Sequence, residues 1–75
     1  VTKKEKLEAR IRNNPKNVTL NEFESLVNIY GHIKPGGKHA KAVLGNRTLT
    51  YKRANPVGEV YVNDLLKLID LQGGL

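Results

Sequence analysis

Seventy-five residues carrying a formal net charge of +6, with 39% hydrophobic residues and no cysteine, describe one small basic domain, taken as 1–75. A chain this short buries only about 60% of the surface its unfolded form exposes, and such a core supplies no more than ~3–5 kcal/mol. Without cysteine, neither disulfides nor a thiolate zinc site can reinforce it, and no apolar run approaches the ~20 residues of a membrane span. The lack of cysteine suits a reducing compartment, and "VTKKEKLEAR" holds no hydrophobic signal core. The expectation is a cytoplasmic protein that makes no membrane contact.

The predicted elements run as follows. "TKKEKLEARIRNN" opens with Thr2 and Glu5 at capping-box spacing. Leu7 and Ile11, four apart, give it one narrow apolar stripe, and Pro15 among asparagines ends this first helix within residues 1–14. In "VTLNEFESLVNIYG", Thr19 is the N-cap and Glu22 the N3 residue of a second capping box, with Val18 placed to staple onto Phe23. Leu20, Phe23, Leu26, Val27 and Tyr30 trace one helical face, and Gly31 is expected to adopt a left-handed C-terminal cap.

A turn-rich link with one short strand around Ile33 follows, and then the apolar period changes to two. "HAKAVL" and "RTLTYKR" are joined by "GN", a two-residue hairpin signal. Alternation places Ala40, Ala42 and Leu44 on one face with Leu49 and Tyr51 as partners. His39, Lys41 and Val43 then share the other face with Thr48, Thr50 and Lys52. "ANPVGE" is a loop, and "VYVNDLLKLIDL" is a helix whose apolar face is built from Val62, Leu65, Leu66, Leu68 and Ile69. The tail at 72–75 is expected to fray. The order predicts an α+β domain: a small antiparallel three-stranded sheet with helices packed on one face and the opposite face open to solvent.

The net charge is concentrated. Between Glu24 and Glu59 there is no acidic residue, while Lys34, Lys38, Lys41, Arg47, Lys52 and Arg53 all fall in that interval. The other seven bases match the seven acids. A block of one sign on a folded surface gathers polyanions such as nucleic acid; a solvated basic face or an acidic partner protein would use the same pattern. His39 stands within it, directly after Gly36, Gly37 and Lys38. Imidazole titrates near neutrality, at ~6.5 when unperturbed, and glycines let another molecule's backbone come close. RNA carries a 2′-hydroxyl beside each phosphate, so a base and nearby cations suffice to cleave it. No pair of histidines and carboxylates has metal-ligand spacing, and no phosphate-loop or nucleophile-elbow motif is present. No metal or other cofactor is expected.

From "NPKNVTLNEFESLV" through "GGKHAKAVLGNRTLTYKR" to "NPVGEVYVNDLLKLID", about residues 4–71, the chain resembles the HicA family of bacterial toxin ribonucleases. The resemblance implies a fold like that of double-stranded-RNA-binding domains, with an added N-terminal helix. It also implies metal-independent cleavage of messenger RNA and a HicB-like antitoxin protein that covers the catalytic face. The family's signature is a glycine, usually a serine, one or two further residues and the catalytic histidine at the start of a strand. Here it reads Gly36-Gly37-Lys38-His39, so the catalytic role falls to His39. Gly36, Gly37, Lys38, Lys41, Lys52 and Arg53 become the RNA-binding candidates. Two departures stand out: Gly37 replaces the serine, and "YKRA" stands where the family's second hairpin strand ends in a Pro-Arg-His type sequence.

Other residues read more plainly. His32, just past a helix end, has a local capping or solvent role, and Tyr51 falls on the packing face. Lys34 and Arg47 add positive charge, and Asp64 compensates the helix dipole near the start of the last helix. Two alternatives accompany the ribonuclease reading. A non-catalytic RNA-binding module would use the same cationic strands, although "VYVND", with the single acid Asp64 and no base, stands where duplex binders carry lysines. An inactive HicA-like protein would keep only its partner.

Overall fold

The computed structural model describes residues 3–71, so the Thr2 cap and the 72–75 tail lie outside the described residues. Helix α1 runs Lys3–Asn13 and is followed by a 3-10 turn at Pro15–Asn17. Helix α2 is Leu20–Tyr30, strand β1 His32–Lys34, β2 His39–Leu44, β3 Arg47–Lys52 and helix α3 Glu59–Leu71. The strands form one antiparallel sheet in the order β1-β2-β3. All three helices lie on one side of it: α2 packs on β1 and β2, α3 packs on β3, and α1 packs on α2. This is the expected α+β layering. Among the described residues no helix is long and apolar enough to cross a membrane.

Local chemistry starts and stops most of these elements. The α2 capping box is complete: the Glu22 backbone N–H donates to Thr19 Oγ1 at 3.2 Å, and the Thr19 N–H donates to Glu22 Oε1 at 3.0 Å. A third orphan donor of that helix end, the Leu20 N–H, is taken by Asn55 Oδ1 at 2.6 Å, from the loop before α3. The same loop is pinned by Val57, whose N–H donates to the Val18 carbonyl at 2.9 Å, with both side chains buried. In the hairpin, Leu44 faces Arg47 across a two-residue loop, and Gly45 takes a positive φ of 60°. A positive φ at the first loop position is what a tight primed turn requires.

Gly31 differs from expectation. It closes α2, its N–H donating to Val27, but with φ at −165° it is extended rather than left-handed. Glycine is required there for another reason: the β2 backbone passes directly over it, and a Cβ at Gly31 would run into the Val43 carbonyl oxygen.

The core forms between the helices and the inner sheet face. Ala40, Ala42, Leu44 and Tyr51 are buried from the sheet, and Phe23, Leu26, Val27, Val62, Leu65 and Ile69 from α2 and α3. Full burial of each large side chain is worth about 1.5–3 kcal/mol. The small alanines on β2 let α2 come close, and Phe23 meets the Tyr51 ring with centroids 4.6 Å apart and planes tilted by 53°. Such an aromatic pair adds about 0.5–1.5 kcal/mol beyond its buried area.

Polar clamps hold the helices at the rim of the core. Tyr51 donates its hydroxyl to Glu24 Oε2 on α2 at 2.7 Å. Burial first, then that carboxylate, push the Tyr51 phenol far above its usual pKa. On the far side, Tyr30 donates to Glu8, while Arg12 bridges Glu8 and Asp70, each at 2.9 Å, joining α1, α2 and α3. The Tyr30 hydroxyl, more than the Arg12 guanidinium, holds the Glu8 carboxyl below its ordinary range, and the Tyr30 phenol is in turn pushed up to about 12.

Candidate nucleic-acid interface

Sheet register decides what the uncovered face displays. Paired residues point the same way, so the buried Ala40, Ala42 and Leu44 fix the inner face and their neighbours the outer one. On β2 and β3 the pairs are His39 with Lys52, Lys41 with Thr50 and Val43 with Thr48. On β1, Lys34 pairs with Lys41 and His32 with Val43. The hairpin alternation read from sequence therefore holds residue for residue. All these side chains are exposed except Val43, which is half-buried.

The ladder continues one step past β3, where the Arg53 N–H donates to the Lys38 carbonyl at 3.0 Å. That bond sets the alternation: Lys38 with Arg53 is a hydrogen-bonded position, and His39 with Lys52 is a non-hydrogen-bonded one. Pairs of the second kind have Cα atoms about 4.5 Å apart and the closest side chains. The imidazole and the ammonium thus project side by side from adjacent strands. Lys41 with Thr50 and Val43 with Thr48 follow in the same close geometry.

The turn before His39 requires its two glycines. Gly37 has a φ of 69° with open space around it, and a Cβ on Gly36 would lie 2.9 Å from the His39 carbonyl oxygen. Gly36 therefore rests against the histidine's own backbone, and Gly37 bends the chain in a conformation that L side chains rarely adopt. A side chain at Gly37, serine included, would take that conformation at a cost of about 1–2 kcal/mol.

The structure brings His39, Lys41 and Lys52 together and adds Lys34. It does not bring Arg53 to them: the Arg53 Nε lies 3.3 Å from Glu24 Oε2 on the helix side. Arg47 pairs with the inward-facing Leu44 at the hairpin end, and Lys38 stands opposite Arg53 at the other end of the ladder. Both are exposed at the sheet's rim. His32, read from sequence as a local capping or solvent residue, is exposed. It is the first residue of β1 and stands on the open face with Lys34. Its signal was the alternation around Ile33, the one inward-facing position of "HIK".

His32 and His39 are not a catalytic pair. Val43, the partner of His32, is four residues from His39, about 13 Å along the strand. One phosphate cannot touch both rings, and the cations nearest His39 on this face are Lys52 and Lys41. Among the described residues, no three His, Asp or Glu side chains gather into a group that could hold a metal ion. Compared with family models, with curated proteins and with solved structures, the chain finds no match.

Proposed function

We propose that this chain is a metal-independent endoribonuclease acting on messenger RNA in the cytoplasm, the toxin of a toxin–antitoxin pair, with His39 as its general acid/base. The observation that carries the reading is the position of His39: exposed on a sheet face that no helix covers, beside Lys52 and next in line to Lys41, in a segment without acids. In the reaction, the imidazole removes the proton of a ribose 2′-hydroxyl. The 2′-oxygen forms a bond to phosphorus, the bond from phosphorus to the 5′-oxygen breaks, and that oxygen takes a proton from water as it leaves, the hydroxide then recovering the proton held by His39. The products are a 2′,3′-cyclic phosphate and a 5′-hydroxyl. The phosphorane carries extra negative charge, which Lys52 and Lys41 meet. The resemblance to the HicA family supports the same residue. It further supplies the partner, a HicB-like antitoxin whose surface would have to be acidic or apolar to cover this face.

The test is cleavage of end-labelled RNA in excess chelator by the wild-type chain and by His39→Ala. Loss of one acid–base group lowers the rate about 10²–10⁴-fold, and the wild-type products should carry cyclic phosphate ends. Equal cleavage by both chains refutes the role of His39. Binding of RNA by both with cleavage by neither establishes a non-catalytic RNA-binding module instead. Growth arrest on expressing the wild type, absent with His39→Ala and relieved by the product of an adjacent gene, is the expected result in cells.

A further inference from the structure

The open face divides into three rows running across the strands, spaced about 6.7 Å apart along β2. The first holds His39 and Lys52, the second Lys34, Lys41 and Thr50, and the third His32, Val43 and Thr48. Their chemistry changes from row to row: imidazole with ammonium, then two ammoniums, then no ammonium at all. Val43 is the only apolar side chain on this face among the described residues. It is half-buried, with an aromatic ring on one flank and a threonine on the other. Neutralising phosphates requires nothing of that kind. An unstacked nucleobase does, because it binds by laying its face on an aromatic or apolar surface and hydrogen-bonding along its edge.

We infer that His32, Val43 and Thr48 form a nucleobase subsite for single-stranded RNA, two rows from His39. The inference rests on the open face being the RNA surface. The strand runs along β2, with the scissile phosphate at His39 and Lys52, the next phosphate over Lys41 and Lys34, and a base held on the third row. His32 supplies the stacking surface, Val43 the apolar floor and the Thr48 hydroxyl an edge contact. A duplex does not fit the same arrangement, because its bases are already stacked on one another and leave this row unused.

The experiment reads binding apart from cleavage. Fluorescence anisotropy is measured with a labelled six-nucleotide single-stranded RNA and with a dinucleotide, in the His39→Ala background so that nothing is cut. Adding His32→Ala should weaken the hexamer about tenfold, within the range expected for loss of one base stack. The dinucleotide should be unaffected, and so should the salt dependence, since stacking releases no counterions. His32→Phe should restore hexamer affinity by restoring a ring. Lys41→Ala should behave differently, flattening the salt dependence.

The proposal is overturned if His32→Ala leaves hexamer affinity unchanged, weakens the dinucleotide equally, or is matched by His32→Phe. It is also overturned if a duplex of the same sequence binds more tightly and responds to His32→Ala in the same way. Cleavage by the chain that retains His39 is scored independently. Hexamer loss in His32→Ala without wild-type cleavage refutes the nuclease and leaves this subsite standing; wild-type cleavage with no effect of His32 does the reverse. No RNA binding by any form refutes both.

Discussion

Replacing Lys41 by threonine should make the protein more stable and a poorer RNA binder at once. Lys41 sits in the middle strand with Lys34 directly opposite on β1 and Thr50 opposite on β3. Both lysines are exposed, and no acid lies between Glu24 and Glu59 to offset them. Cross-strand pairs are worth about 0.2–1 kcal/mol, and like charges directly opposite are unfavourable. The substitution removes that repulsion, places threonine beside Thr50 in a close pair, and suits a strand better than lysine does.

A gain of about 0.5 kcal/mol, the middle of that range, corresponds to a rise in melting temperature of about 2–4 °C for a domain of this size. Salt supplies a second reading. Between about 0.01 M and 0.15 M ionic strength the screening length falls from ~30 Å to ~8 Å. The wild type should therefore gain stability over that interval, and Lys41→Thr should gain less. In titrations with single-stranded RNA the variant should bind more weakly at low salt. Its plot of log affinity against log salt should be shallower by about 0.7, the value of one phosphate contact. Thermal melts and salt-dependent anisotropy test both halves. A lowered melting temperature would sink the account of the face as strained by its own charge, and unchanged RNA affinity would remove Lys41 from the interface.

Three further outcomes test the frame that carries this face. The folded-state pKa of Tyr51 lies above the unfolded value of about 10, raised first by burial and then by Glu24. The neutral phenol therefore stabilises the fold fully below pH 10, and that contribution is lost as pH rises through the folded value. Tyr51→Phe should flatten the fall in stability expected in urea unfolding as pH rises above about 10, the unfolded phenol value. Its cost at pH 7 should be about 1.5–3 kcal/mol, the worth of a hydrogen bond to a charged group. Gly31→Ala, which forces a Cβ against the Val43 carbonyl oxygen, should cost at least about 1–3 kcal/mol. Circular dichroism should then show most of the fold lost at moderate temperature. Asn55→Ala, which deprives the Leu20 N–H of its acceptor, should cost about 0.5–2 kcal/mol, as the loss of a helix cap does, measured by chemical denaturation.

The features legible in the sequence are those decided by neighbours in the chain. The Thr19–Glu22 capping box, the Gly45–Asn46 turn and the parity of both hairpin strands depend on residues a few positions apart, and each is present as read. Gly31 was correctly marked as a helix end but for the wrong reason. The carbonyl that requires a glycine there belongs to Val43, twelve residues further on, and only the β1–β2 pairing brings it near. Arg53 looked like one more cation beside Lys52. Its neighbour Glu24 comes from α2, and the Phe23–Tyr51 contact brings that helix over the end of β3. His32 was hidden because a three-residue strand has a single inward position, too few to establish a period before the pairing is known.

All seven carboxylates lie in α1, α2 and α3, and seven bases lie in those helices and the Pro15–Asn17 turn. Six cations fall in the strands and their flanks, and one of them, Arg53, reaches back to a helix carboxylate. The molecule is thus electrically lopsided, with a near-neutral back and a positive front. In the field of a polyanion such a body feels a torque as well as a pull, and it turns during diffusion so that the sheet arrives first. Encounters would then be productive in orientation before any side chain touches a nucleotide, and that advantage in association rate fades as salt shortens the range of the field.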